Sequence, residues 1–213
     1  MFFMNRKKLE IVSAENALVG RANPIPTAET HFVYGRPLTA DVPDGMDEAM
    51  FGMGCFWGVE RMFWKLDGIH STMVGYAAGH TPNPTYQEVC TGQSGHAEVV
   101  QIHFDPQEIS YEKLLETFFM VHDPTTLNQQ GADTGTQYRS AILFHNELQQ
   151  TAAEFAKTQA AELWTDPIIT EIEPLNIFYE AEAYHQNYFR NNPNQPYCAA
   201  VIAPKLQKLN PLA

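Results

Sequence analysis

Apolar residues recur along this chain with two different periods, and the switches between them mark out its elements. Ala49-Met50-Phe51-Gly52-Met53 is an apolar run of strand length. Val59, Met62, Phe63 and Leu66 then recur at i, i+3, i+4 and i+7, predicting a helix over about 55–66 that Asp67-Gly68 closes. Residues 69–76 predict a second strand, and 77–95 a loop punctuated by Gly79, Pro82, Asn83, Pro84, Gly92 and Gly95. Residues 97–104 predict a third strand before an Asp105-Pro106 turn. Ser110 can cap a helix carrying Leu114, Leu115, Phe118 and Val121 that ends near His122-Asp123-Pro124. Residues 125–136, with Gly131, Asp133 and Gly135, form the most turn-like region, and a loop that long in a compact domain is usually functional. A fourth strand follows at 140–144, a long helix from the Asn146 cap to about 164, and a short fifth strand at 168–172. Residues 178–190 carry aromatics at helical spacing, and from 191 the chain is proline-rich coil.

The order strand, helix, strand, strand, helix, strand is the split β-α-β arrangement. The fold class expected is therefore α+β, a two-layer sandwich with a ferredoxin-like βαββαβ core, an extra helix and extended N- and C-terminal arms. One catalytic domain spans 1–213: an arm over 1–47, a core over 48–190 and a flexible tail over 191–213. Pro24, Pro26, Pro37 and Pro43, with Gly20, Gly35 and Gly45, make the arm a wrapped segment rather than a separate fold.

Composition narrows the function classes. The chain has 213 residues, 44% of them apolar and 18% charged, which is globular usage. Lys plus Arg number 13 against 25 acids, a net charge of −12, which argues against a nucleic-acid binder. No apolar run approaches the roughly 20 residues of a membrane span. Met1-Phe2-Phe3-Met4 precedes Arg6-Lys7-Lys8, the reverse of a signal peptide, so a cytoplasmic residence is expected. Three scattered cysteines suit neither a disulfide scaffold nor a zinc site. Eight singly spread histidines make metal binding an unattractive reading.

Candidate chemistry centres on Gly54-Cys55-Phe56-Trp57-Gly58. Cys55 falls at a strand-to-helix turn, where helix-end amides and the macrodipole favour thiolate over thiol. Packing of a small buried residue is the competing account. Glu98 shares a strand face with Val100, Ile102 and Phe104, where desolvation raises a carboxyl pKa and keeps a proton available at neutral pH. A frayed strand end reaching solvent is the alternative. Tyr86, Asp133 and Tyr138 sit on the glycine-rich loops; tyrosine hydroxyls can donate to an uncharged substrate oxygen, or simply pack. Cys198 lies in the tail, either a swinging thiol or an inert one. Cys55 and Arg61 stand in C-x5-R spacing, but two bulky aromatics and an acid between them fit a phosphate loop poorly. A papain-like signature is absent.

Gly54-Cys55-Phe56-Trp57-Gly58, Gly75-Tyr76, Asn83-Pro84-Thr85-Tyr86, Gly95-His96-Ala97-Glu98 and Gly131-x-Asp133-x-Gly135-x-Gln137-Tyr138-Arg139-Ser140 together resemble peptide methionine sulfoxide reductase, A type. His185-Gln186-x-Tyr188 also fits, and the proline-rich arm resembles that of longer bacterial members. The resemblance implies reduction of methionine-S-sulfoxide, free or in proteins, as repair after oxidative damage. It implies Cys55 as nucleophile, and Glu98 with Tyr86 and Tyr138 binding the sulfoxide oxygen and supplying a proton. It places Phe56 and Trp57 around the S-methyl group, and Asp133 as an organiser of the site through water. Cys55 would become a sulfenic acid that Cys198 converts to a disulfide, which thioredoxin reduces. No cofactor is implied, since thiols carry the electrons. Residues 199–213 lack the further relay cysteine of some members, so the Cys55–Cys198 disulfide is itself the expected thioredoxin substrate. Cys90 matches no role and reads as a bystander. A monomer is expected, and a non-catalytic peroxide-sensing or methionine-binding thiol module is the rival reading.

Overall fold

A computed structural model describes residues 9–203; the Arg6-Lys7-Lys8 cluster and tail positions 204–213 lie outside the described residues. The elements are β1 (Asp47–Met53), α1 (Phe56–Phe63), β2 (Ile69–Ala77), α2 (Tyr86–Cys90), β3 (Ala97–Phe104), α3 (Tyr111–Val121), β4 (Gln129–Gln130), β5 (Asp133–Thr134), β6 (Ser140–Phe144), α4 (Glu147–Ala161), β7 (Glu171–Pro174), β8 (Phe178–Glu180) and α5 (Tyr188–Asn191). The fold is mixed α+β. Six strands form one sheet in the order β7-β6-β1-β3-β2-β8, and β4 with β5 makes a small separate ribbon. Only β6 and β7 run parallel within the large sheet.

Strand parity decides which side chains meet the helices. Val100, Ile102 and Phe104 of β3 join Phe51 of β1, Val59 and Phe63 of α1 and Leu114, Leu115 and Phe118 of α3 in the larger core. Ala97 and Val99 point to the reverse face with Met50, Ala141 and Leu143. Each fully buried phenylalanine contributes about 1.5–3 kcal/mol through the water it no longer faces. Glu98 has the parity of the larger core and pairs in register with Tyr76. Helix starts follow the capping residues: Ser110 accepts from the Lys113 amide, and the Asn146 side chain from the Gln149 amide at 3.0 Å.

Several segments depart from their expected state. The 77–95 loop contains α2, started by a capping box in which Thr85 and Glu88 exchange hydrogen bonds. The 125–136 loop folds back as the β4–β5 ribbon. The strand expected at 168–172 lies at Glu171–Pro174. The aromatic run 178–190 is not one helix. Phe178 and Tyr179 instead pair with Ala77 and Tyr76 on the open edge of β2, which offers unpaired backbone groups that helical periodicity ignores. A 3-10 turn follows at Ala183–His185, and Asn187 at φ 51 separates it from α5. The tail is not loose coil either: Cys198–Ile202 makes a π-helical turn, and Ile202 lies 3.4 Å from where a Gly58 Cβ would sit.

The arm is extended and pinned at several points. Arg21 donates to both Glu88 oxygens at 2.9 Å. The Thr27 hydroxyl donates to the Ala181 carbonyl at 2.8 Å, and Arg36 to the His70 carbonyl at 2.8 Å.

Candidate active site

Gly54 sets the turn that delivers Cys55. Its φ is +86, and a Cβ there would meet the Gln130 side chain at 2.6 Å, so only glycine fits. Cys55 is the N-cap residue of α1, and its side chain does not cap the helix. The first amide of α1 goes elsewhere: Phe56 N–H donates to Glu98 Oε2 at 3.0 Å. The Trp57 amide and the Tyr197 hydroxyl reach the Cys55 sulfur. One helix start thereby holds the thiol and the carboxyl side by side.

Glu98 is 1% exposed, and its Oε1 has no partner within the protein. Burial pushes its carboxyl up to about 8 against the pull of the Phe56 amide, with Asp133 adding to the rise. The group thus holds a proton at neutral pH and keeps one oxygen without a hydrogen-bond partner in the protein. Tyr86 and Tyr138 flank it: burial raises both phenols, and Glu98 is the leading charge acting on each. Arg139 anchors the Tyr138 turn from behind, through Glu171 at 2.8 Å and the Thr136 carbonyl at 2.9 Å. The Tyr86 amide donates to Glu182 Oε1 at 2.8 Å.

The aromatics form one cluster beside the thiol. Phe56 is 1% exposed, with its ring 5.9 Å from Tyr76 and 5.1 Å from His185. Trp57 is half-buried; Tyr188 stacks on it at 3.8 Å and 9°, and its Nε1–H donates to His185 Nδ1 at 2.9 Å. Burial lowers His185 to about 4, which leaves the imidazole neutral.

The thiolate expected from the helix end is corrected by this geometry. Burial, reinforced by Glu98, pushes the Cys55 thiol up, and the Trp57 amide and Tyr197 hydroxyl only partly oppose it. The macrodipole loses because its nearest amide serves Glu98 and because the sulfur sits beneath the tail. The Tyr197 hydroxyl gives its one proton to Asp133 Oδ2, and its ring stands edge-on to Trp57 at 6.0 Å. Tyr197 and Ile202 leave a cavity of about 10 Å³ beside Cys55.

A family model described as peptide methionine sulfoxide reductase matches residues 47–212. The chain is 53% identical over 196 residues to peptide methionine sulfoxide reductase MsrA 1 of Caulobacter vibrioides, covering 90% of each chain. The chain belongs to the peptide methionine sulfoxide reductase family. Methionine sulfoxide reductase A of Corynebacterium diphtheriae superposes with a TM-score of 0.80 at 37% identity, covering 87% of this chain and 92% of that one. Mxr1 of Saccharomyces cerevisiae in complex with Trx2 superposes at 0.51 with 29% identity, covering 71% and 89%.

Within this reductase family fold, Cys55, Phe56, Trp57, Tyr86, Glu98, Asp133 and Tyr138 gather around the start of α1. Cys198 is buried, and all three cysteines are thiols. Asp133, expected to act through water, is met directly by Tyr197. Tyr197, His185, Tyr188 and Glu182 were given no role by their residue types, since only folding brings them to Trp57 and Tyr86. Cys90 is closer to the site than a bystander: its thiol is in hydrogen-bond contact with the Tyr86 hydroxyl. The signal for that contact was legible, because Thr85-x-x-Glu88 opens a helix and Tyr86 and Cys90 are four apart on it. Among the described residues no group of three or more His, Cys, Asp or Glu could hold a metal ion. None of the described helices is long and apolar enough to cross a membrane.

Proposed function

We propose that Cys55, Glu98, Tyr86 and Tyr138 carry the reduction of methionine-S-sulfoxide in this reductase. The observation that carries the assignment is the unpartnered, proton-bearing Glu98 Oε1 beside the nucleophile's turn. The sulfoxide oxygen accepts from the Glu98 carboxyl and the two tyrosine hydroxyls, and its methyl lies against Phe56 and Trp57. Neutral donors suit a neutral oxygen that gains negative charge as the S–O bond weakens. Cys55 sulfur attacks the sulfoxide sulfur as Glu98 protonates the oxygen. Methionine leaves, oxygen passes to Cys55 as a sulfenic acid, and the thiol proton restores Glu98. The Cys198 thiol then displaces that hydroxyl as water and forms the Cys55–Cys198 disulfide. Thioredoxin dithiol reduces the disulfide by exchange and becomes oxidised itself. Asp133 positions the tail through Tyr197 in the resting state.

The ferredoxin-like reading of the core is supported by the central strand order β6-β1-β3-β2, antiparallel at each pairing. A reducing, cytoplasmic compartment suits three cysteines held as thiols, two of which thioredoxin recycles.

The test is turnover of each sulfoxide epimer of a blocked methionine with thioredoxin, thioredoxin reductase and NADPH. Methionine formation from the S epimer alone is expected. One stoichiometric oxidation of Cys55 with no methionine formed would overturn the assignment.

A further inference from the structure

Beneath Trp57 lies a polar cluster that the reaction does not use. Glu60, one turn further along α1, is fully buried. Its Oε1 accepts from the Thr72 hydroxyl at 3.2 Å and from Asn187 Nδ2 at 2.8 Å. Its Oε2 accepts from the Asn187 amide at 2.9 Å. His31, from the arm, accepts two backbone amides at Nδ1, and its Nε2 lies 2.9 Å from Thr72 Oγ1 and 3.1 Å from Asn187 Nδ2. The Phe32 amide in turn donates to Asn187 Oδ1 at 2.8 Å. Hydrogen bonds thus converge on Glu60 from the strand residue Thr72 and the C-terminal residue Asn187, and the arm residue His31 meets both of those in turn, each of the three at most 1% exposed.

A buried carboxyl of this kind adds little stability over apolar packing, so what it holds in place matters more. It holds Asn187 at φ 51 and ψ 37, a left-handed conformation that costs a side-chain-bearing residue about 1 kcal/mol. Such a residue persists where its surroundings over-determine it. The two residues that grip Trp57 lie on either side of that left-handed position. His185 takes the indole N–H at 2.9 Å, and Tyr188 stacks on the ring at 3.8 Å. Gln186 fastens the same segment to both backbone groups of Val74, at 3.0 and 2.9 Å. Turning Asn187 into helical or extended backbone would pull His185 and Tyr188 off Trp57 together.

We propose that Glu60 is a positioning residue that, through left-handed Asn187, sets the His185–Trp57–Tyr188 stack forming a wall of the substrate pocket. His31 lies outside the 47–212 span of the family model, so the arm takes part in the device. The inference rests on the reading of Trp57 as a pocket residue.

A double-mutant cycle in the full chain tests it. Single-turnover methionine formation by pre-reduced protein separates the half-saturating substrate concentration from the limiting rate. Glu60→Gln keeps the shape but turns one acceptor into a donor facing the donors of Thr72 and Asn187. It is expected to raise the half-saturating concentration about tenfold, leave the limiting rate within about twofold, and add nothing in a Trp57→Phe background. An equal rise in both backgrounds, or no rise in the wild type, overturns the proposal. A Trp57→Phe protein with unchanged half-saturation overturns the pocket reading itself. Should Glu60→Gln fail to fold by thermal melt, Asn187→Gly carries the same cycle. It keeps the left-handed conformation and removes only the side-chain bonds, so about a threefold rise that vanishes in Trp57→Phe is expected. A rise that persists there refutes the proposal equally.

Discussion

Replacing Glu98 by glutamine isolates the proton on which the proposed chemistry depends. The carboxyl is pushed from 4.5 to about 8, so the folded protein keeps a proton there that the unfolded chain releases near its ordinary value. Below about pH 4.5 both states are protonated, and the full stability is present. Between there and about pH 8 only the unfolded state ionises, so stability falls as pH rises. The slope is about 1.36 kcal/mol per pH unit, which amounts to about 3–4 kcal/mol between pH 5 and pH 8. Solvent does not screen this effect, because the residue is 1% exposed. Glutamine has no proton to lose. Urea denaturation of both proteins under reducing conditions at pH 5, 6, 7 and 8, followed by circular dichroism, reads the difference directly. The wild type should lose about 3–4 kcal/mol relative to Glu98→Gln over that window. Other titrating groups, Glu60 among them, are common to both proteins and cancel. A constant offset at all four pH values would refute the raised carboxyl and the proton donor built on it.

In single-turnover kinetics Glu98→Gln should lower the rate of methionine formation by about 10²–10⁴-fold while leaving substrate affinity largely intact. An unchanged rate would place the proton source elsewhere. Cys198→Ser should release one equivalent of methionine and cycle with dithiothreitol but not with thioredoxin; full thioredoxin turnover would make Cys90 the resolving candidate. Tyr197→Phe removes the hydroxyl that meets Asp133 and Cys55, bonds each worth about 1 kcal/mol. Alkylation of Cys198 in the pre-reduced protein, followed by mass spectrometry, should then speed up roughly thirtyfold for about 2 kcal/mol lost. An identical rate would mean that the hydroxyl does not hold the tail.

Local signals were strongest where a residue acts through its own element. The 2-residue alternation of 97–104 put Glu98 on the face of Val100, Ile102 and Phe104, which is where the larger core lies. The Ser110 and Asn146 caps began helices as expected. The same local logic failed at 178–190, because the edge of β2 that captures Phe178 and Tyr179 is supplied by a strand some hundred residues earlier. It also failed at Cys55, where a helix end by itself predicts a thiolate.

What the sequence determined alone is the central strands and the longer helices, the turn that presents Cys55, the face that buries Glu98 and, through ordered motifs, the family. Only the tertiary structure decided the electrostatics and the neighbours. The Cys55 thiol is pushed up because the tail covers it and Glu98 stands beside it, both brought by long-range packing. His185 and Tyr188 meet Trp57 from either side of left-handed Asn187, whose amide donates to a buried glutamate, and Tyr197 reaches the same ring from the tail. Periodicity records which face of an element is apolar. Desolvation, and the charge that accompanies it, depends on what the rest of the chain places on top.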